Sequence, residues 1–118
     1  MLFKSVAIIG SGVMGSGIAA HCANAGLDVV LLDIVPKGAT DRNELGLNAL
    51  KNIKDSNPEM LMNKEFINRI KIGNIDDDMQ LLSSVDWIIE VVVERIDVKH
   101  NLYEKIFKNR KKDSIISS

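Results

Sequence analysis

The segment that most restricts what this chain can fold into is GSGVMG, from Gly10 to Gly15. It follows FKSVAII at residues 3–9, an apolar run rich in β-branched side chains that reads as a short buried strand. It precedes residues 15–25, where Ile18, Ala19, Cys22 and Ala25 recur three or four positions apart and so share one face of a helix. Gly26 would cap that helix. Asp28 then leads into VVLLDI, a second apolar strand with Asp33 at its carboxyl end. Strand, glycine turn, helix and strand, with both strands apolar nearly throughout, imply a parallel sheet covered on both faces, because a sheet with one wet face would alternate.

Length limits how far this pattern can extend. A chain of 118 residues hides roughly two thirds of its extended surface, enough for one core and too little for a second full domain. Thr40 or Asp41 is expected to cap a helix over residues 43–56, with Leu47, Leu50 and Ile53 on one stripe and Lys51 and Lys54 off it. Pro58 interrupts, residues 59–68 read as weakly helical, and IKIG reads as a brief third strand. Asp76, Asp77 and Asp78 precede a helical turn at residues 79–82, where acids suit the positive helix end. WIIEVVV at residues 87–93 is the clearest late strand, and SIISS a final one. Between them Asp97 would cap a helix over residues 97–110, whose Val98, Leu102, Ile106 and Tyr103, Phe107 rows can pack on the sheet. The expected fold class is therefore α/β: a doubly wound, Rossmann-type, mostly parallel sheet with helices on both faces, incomplete at its C-terminus.

Charge and cysteine content remove other classes. Fifteen Lys+Arg against sixteen Asp+Glu leave a formal net charge of -1, so no nucleic acid or anionic membrane is implied as a partner. The basic residues Lys108, Arg110, Lys111 and Lys112 read as a solvated helix end. The single Cys22 suits a reducing compartment, no apolar stretch approaches a membrane span, and the N-terminus makes a poor signal sequence. The expectation is a cytoplasmic protein without membrane insertion.

A GxGxxG pattern is informative where it joins a strand to a helix. Gly10 permits the sharp turn, Gly12 removes a side chain that would collide with a pyrophosphate, and Gly15 lets the helix approach the sheet. Val13 and Met14 between them are counted as cofactor-binding candidates too. The phosphates would rest on the helix N-terminus, and Asp33 would accept hydrogen bonds from an adenosine ribose, which favours NAD over NADP. The alternatives are a tight turn without ligand, or a flavin or other adenosine cofactor. Glu94, and less so Glu90, could position a cofactor at the late strand end. His21 and His100 lack metal-ligand spacing and read as structural and solvent-facing. No metal site and no convincing acid–base group for hydride chemistry emerge.

VAIIGSGVMGSGIAAHCANAG, VVLLDIVP and DWIIEVVVER followed by Lys99 together resemble the N-terminal cofactor domain of 3-hydroxyacyl-CoA dehydrogenases, particularly those fused to an enoyl-CoA hydratase. The resemblance covers essentially all of residues 1–118. It implies NAD-dependent oxidation of L-3-hydroxyacyl-CoA to 3-oxoacyl-CoA in fatty-acid β-oxidation, with Asp33 as the ribose-binding acid and Glu94 and Lys99 near the nicotinamide side. Lys51 or Lys54 would receive CoA phosphates, and Ser118 resembles the first serine of a substrate-side SNTS-like segment. The family's catalytic histidine and glutamate, and its helical C-terminal domain, lie beyond this sequence, so no catalytic residue is assigned and little turnover is expected from these residues alone. Competing readings are a β-hydroxyacid dehydrogenase relative, and a non-enzymatic remnant or module that associates as a homo-oligomer or through an exposed final strand.

Overall fold

Alternation along the first strand decides the layers. Val6 and Ile8 belong to one apolar cluster and Ala7 and Ile9 to another, and all four are fully buried, as a strand covered on both faces requires. The computed structural model describes residues 3–38, 40–56, 59–91 and 96–117, with only the backbone of residues 96–100. Strands β1 (Ser5–Ile9), β2 (Asp28–Asp33), β3 (Ile70–Asn74), β4 (Trp87–Glu90) and β5 (Ile115–Ser117) form one sheet in the order β3-β2-β1-β4-β5. Every neighbouring pair is parallel. Helices α1 (Val13–Asn24) and α2 (Glu44–Lys54) cover the Val6 and Ile8 side through Ala19, Ala20, Cys22, Ala23, Ala49 and Ile53. Helix α3 (Ile96–Asn109) and a 3₁₀ segment, Met79–Ser84, cover the other side through Leu102, Ile106, Met79 and Leu82. The sheet order reverses direction between β1 and β4, which is where a doubly wound fold opens a ligand crevice at the strand carboxyl ends.

Helix α1 stops as its sequence suggests. Gly26 takes φ +92, its N–H donates to Ala23 O at 3.1 Å, and Leu27 N–H donates to Cys22 O at 3.1 Å. These are the two bonds of a Schellman closure, with glycine in the left-handed position. Ala25 is the capping residue and is exposed, so the buried face is Ala19, Ala20, Cys22 and Ala23, with Ile18 only half-buried. Among the described residues no helix is long and apolar enough to cross a membrane.

Several sequence expectations shift. Helix α2 begins at Glu44; Asp41 Oδ1 accepts from Asn43 N–H at 2.8 Å, while Asn43, the capping residue, makes no side-chain cap. Its packed face is Gly46, Ala49 and Ile53, with Gly46 close against Ile72 of β3, and Leu47 remains 46% exposed. The weakly helical stretch condenses to a 3₁₀ segment, Lys64–Arg69. Asp97 is the second residue of α3 and not its cap. Phe107 is exposed, stacking at the surface on Tyr103 at 6.3 Å and under Arg110. The acids at 76–78 turn away from the following 3₁₀ segment: Asp78 accepts from Asn74 N–H at 2.9 Å and Asp77 from Arg42 Nε at 2.7 Å. The late basic residues also have partners: Lys111 pairs with Asp86 across the fold, and Arg110 with Ser114 locally. Strand β4 is described to Glu90; the remainder of the expected strand, at Val92 and Val93, lies outside the described residues.

Candidate cofactor site

The carboxyl ends of β1, β2 and β4 converge on the glycine turn. Gly10 leaves β1 with φ +115, a conformation that L side chains rarely adopt, and donates its N–H to Leu32 O at 2.7 Å. Val91 N–H donates to Ile9 O at 2.9 Å, bringing the end of β4 against the turn; a Cβ on Gly10 would stand 3.0 Å from Val91 O. Gly15 is more constrained, since a Cβ there would lie 1.7 Å from Gly10 O. These two glycines are required by internal packing alone.

Gly12 differs. It is the N-cap of α1 with φ -66, it is exposed, and a Cβ placed on it meets nothing within 4 Å. Packing within the described residues does not demand glycine there, as it does not at Gly17, and the space that Gly12 leaves open lies at the helix N-terminus. That end carries no side-chain cap and no acid in its first turn, leaving backbone N–H groups and a positive dipole end for an anion. Val13 and Met14 follow, 91% and 68% exposed, and present apolar surface at the mouth of the same turn.

Asp33 ends β2 beside this turn. Its Oδ2 accepts from Ser11 N–H at 2.7 Å and from the Ser11 hydroxyl at 2.6 Å, and its Oδ1 accepts from Ile34 N–H at 2.7 Å. Ser11 is itself buried, and its carbonyl accepts from the Ser16 hydroxyl at 2.9 Å. The motif treats position 11 as free, so pattern reading passes over this serine; a hydroxyl beside the first glycine was the only available signal. Next to Asp33 in register is Asn74 of β3, whose side chain donates to Asn43 Oδ1 and Asp77 Oδ2. Hydrogen bonds from Arg42 and then Asn74 hold the Asp77 carboxyl below its ordinary range. The guanidinium nearest to Asp33 in sequence, Arg42, is thus already engaged with an acid.

Glu90 closes β4 opposite Ile9 and is buried. Glu94 and Ser118 lie outside the described residues, as does the side chain of Lys99 on α3. Lys51 and Lys54 are exposed in the last turn of α2. Lys54 borders a cavity of about 260 Å³ lined also by Ile53, Glu59, Leu61, Lys64 and Ile67, which no residue of the glycine turn lines. His21 is exposed on α1, and burial pushes the Cys22 thiol above its ordinary pKa, which opposes a reactive thiolate. Among the described residues no group of three or more His, Cys, Asp or Glu could hold a metal.

Residues 5–118 match the family model described as 3-hydroxyacyl-CoA dehydrogenase, NAD binding domain. The chain is 44% identical over 118 residues to a Deinococcus radiodurans protein named "Probable 3-hydroxyacyl-CoA dehydrogenase", covering 100% of this chain and 34% of that protein. It is 46% identical over 115 residues to a Rickettsia felis protein named "Putative fatty acid oxidation complex trifunctional enzyme", covering 98% of this chain and 16% of that one. The crystal structure of Escherichia coli 3-hydroxybutyryl-CoA dehydrogenase superimposes with a TM-score of 0.79 at 26% identity, over 99% of this chain and 25% of that one. The chain therefore spans about a third or less of the length of these relatives. A five-stranded parallel sheet with a glycine turn at its reversal point, joined to a family match over nearly the whole chain, places the protein in the NAD-binding domain family of the 3-hydroxyacyl-CoA dehydrogenases.

Proposed function

We propose that residues 1–118 are the NAD-binding part of an enzyme that interconverts L-3-hydroxyacyl-CoA and 3-oxoacyl-CoA in fatty-acid β-oxidation. The observation that carries the reading is the bare, solvent-open Gly12 at the head of α1, in a turn whose other two motif glycines are fixed by packing. When bound, NAD supplies the hydride acceptor or donor. The chain's own residues bind and orient. The α1 N-terminus receives the pyrophosphate between Gly10, Gly12 and Gly15, and Asp33 accepts from the adenosine ribose with its remaining acceptor site on Oδ1. Val13 and Met14 cover the cofactor from the solvent side. Glu94 and Lys99 are assigned to the nicotinamide side, and Ser118 to the substrate side.

For the CoA phosphates Lys54 is the better of the two lysines, because it borders the cavity with Lys64 and an apolar floor of Ile53, Leu61 and Ile67. A phosphate there would meet Lys54 directly and Lys64 in competition with Glu59, which lines the same cavity and pairs with Lys64 at 3.8 Å, while the adenine would meet an apolar wall. The names of the relatives, which include 3-hydroxyacyl-CoA dehydrogenase and fatty acid oxidation complex, support an acyl-CoA substrate class. Acid–base chemistry is assigned to segments that the longer relatives carry in addition, and the roles assigned within residues 1–118 are cofactor binding and orientation. NADH oxidation with acetoacetyl-CoA, followed at 118 residues beside a direct NADH titration, tests this division. Binding without turnover is expected; turnover near that of an intact enzyme contradicts it.

A further inference from the structure

Asp33 accepts three hydrogen bonds from the residues around it. A carboxylate offers about four acceptor sites, and the described residues fill three of them, two from Ser11 on Oδ2 and one from Ile34 on Oδ1. The Ser11 hydroxyl bond, at 2.6 Å, has the length of a hydroxyl donating to an ionised oxygen. Backbone donors such as Ser11 N–H and Ile34 N–H follow from the turn itself and would persist with any residue at position 11. The hydroxyl is the one contact that belongs to this side chain. It is also shielded: Ser11 is 7% exposed, and its own carbonyl is anchored by the buried Ser16 hydroxyl.

We propose that Ser11 is a positioning residue that sets cofactor preference, acting through Asp33. With both Ser11 donors on Oδ2, the carboxylate keeps a single orientation at the end of β2 and leaves one acceptor site on Oδ1 for a ribose hydroxyl. A 2'-phosphate at the same place meets a fixed negative charge that cannot turn aside, and Arg42 offers it no uncommitted guanidinium because Asp77 already engages it. Without the hydroxyl, the carboxylate gains freedom to rotate, which weakens its hold on the ribose and lessens its repulsion of a phosphate. This inference rests on the reading that the adenosine ribose lies at Asp33.

Fluorescence titration of the 118-residue chain with NADH and with NADPH tests both layers separately. The wild type is expected to prefer NADH, and Ser11→Ala to reduce the NADPH-to-NADH Kd ratio by about tenfold, the scale of one charge-assisted hydrogen bond. Ser11→Cys keeps the volume and substitutes a weak donor; it is expected to move the ratio in the same direction and serves if Ser11→Ala does not fold. Asp33→Ala removes the preference, and adding Ser11→Ala to it leaves the ratio unchanged. A merely structural role would weaken both cofactors equally, so a ratio within about twofold of wild type overturns the inference. So does an equal shift in the Asp33→Ala background. Failure of the wild type to bind NADH overturns the underlying reading instead.

Discussion

The carbonyl oxygen of Gly10 stands 1.7 Å from the point a Cβ on Gly15 would occupy. The first turn of α1 and the exit of β1 are in backbone contact there, and the obstructing atom cannot rotate out of the way. Gly15→Ala must therefore push the helix off the sheet. A loss of about 1–3 kcal/mol or more in urea denaturation is expected, the usual range for forcing a methyl group into a packed site. A change below about 0.5 kcal/mol, the usual range for surface substitutions, would show that the contact relaxes freely.

Gly12→Ala is expected to separate stability from binding. The site is open and its φ is ordinary, so folding stability should change by less than about 1 kcal/mol. NADH affinity should fall by on the order of tenfold or more, about 1.4 kcal/mol. Unchanged affinity in a folded variant would remove the reason given for the glycine.

Helix α2 offers a paired test of packing. Ile53 is buried at 2% exposure, whereas Leu47 is 46% exposed. Ile53→Ala is expected to cost about 2–5 kcal/mol, and Leu47→Ala about 0.5 kcal/mol or less. Chemical denaturation of the two variants checks the order, and equal losses would contradict it.

Asp86 gives the fold an acid-sensitive tie. The hydrogen bond from Lys111, followed by the backbone N–H of Lys4, lowers its carboxyl to about 2. Because the folded pKa lies below the unfolded value of about 3.9, the unfolded chain binds the proton first. The contribution is full above the unfolded pKa and is lost as pH falls toward about 2. Asp86→Asn should flatten the stability profile in that window and leave its shape above about pH 5 unaltered. Denaturation midpoints measured from about pH 2 to 6 check this; a parallel offset at all pH values would contradict it.

What could be read from sequence was the part in which backbone geometry leaves few choices. Gly10 and Gly26 both adopt positive φ, and β1, α1 and β2 follow between and around them. Helical periodicity picks out Ile53 in α2 and Leu102 and Ile106 in α3, whereas the buried face of α2 is completed by Gly46 and Ala49, and Leu47 and Phe107 are exposed. Asp78 is taken by the nearby Asn74 N–H, and Asp77 has a tertiary partner, Arg42, that no local rule names. Ser11 is not legible in the sequence for a similar reason: its bond to Asp33 depends on a strand end brought beside it by the β1 and β2 pairing.

The most direct test of the cofactor cradle is a fluorescence titration of the wild-type chain with NADH. Saturable binding with a submillimolar Kd, about 4 kcal/mol or more of binding free energy, weakened in Gly12→Ala, is the expected result. No saturable change up to about millimolar NADH, from a chain shown to be folded, would contradict it.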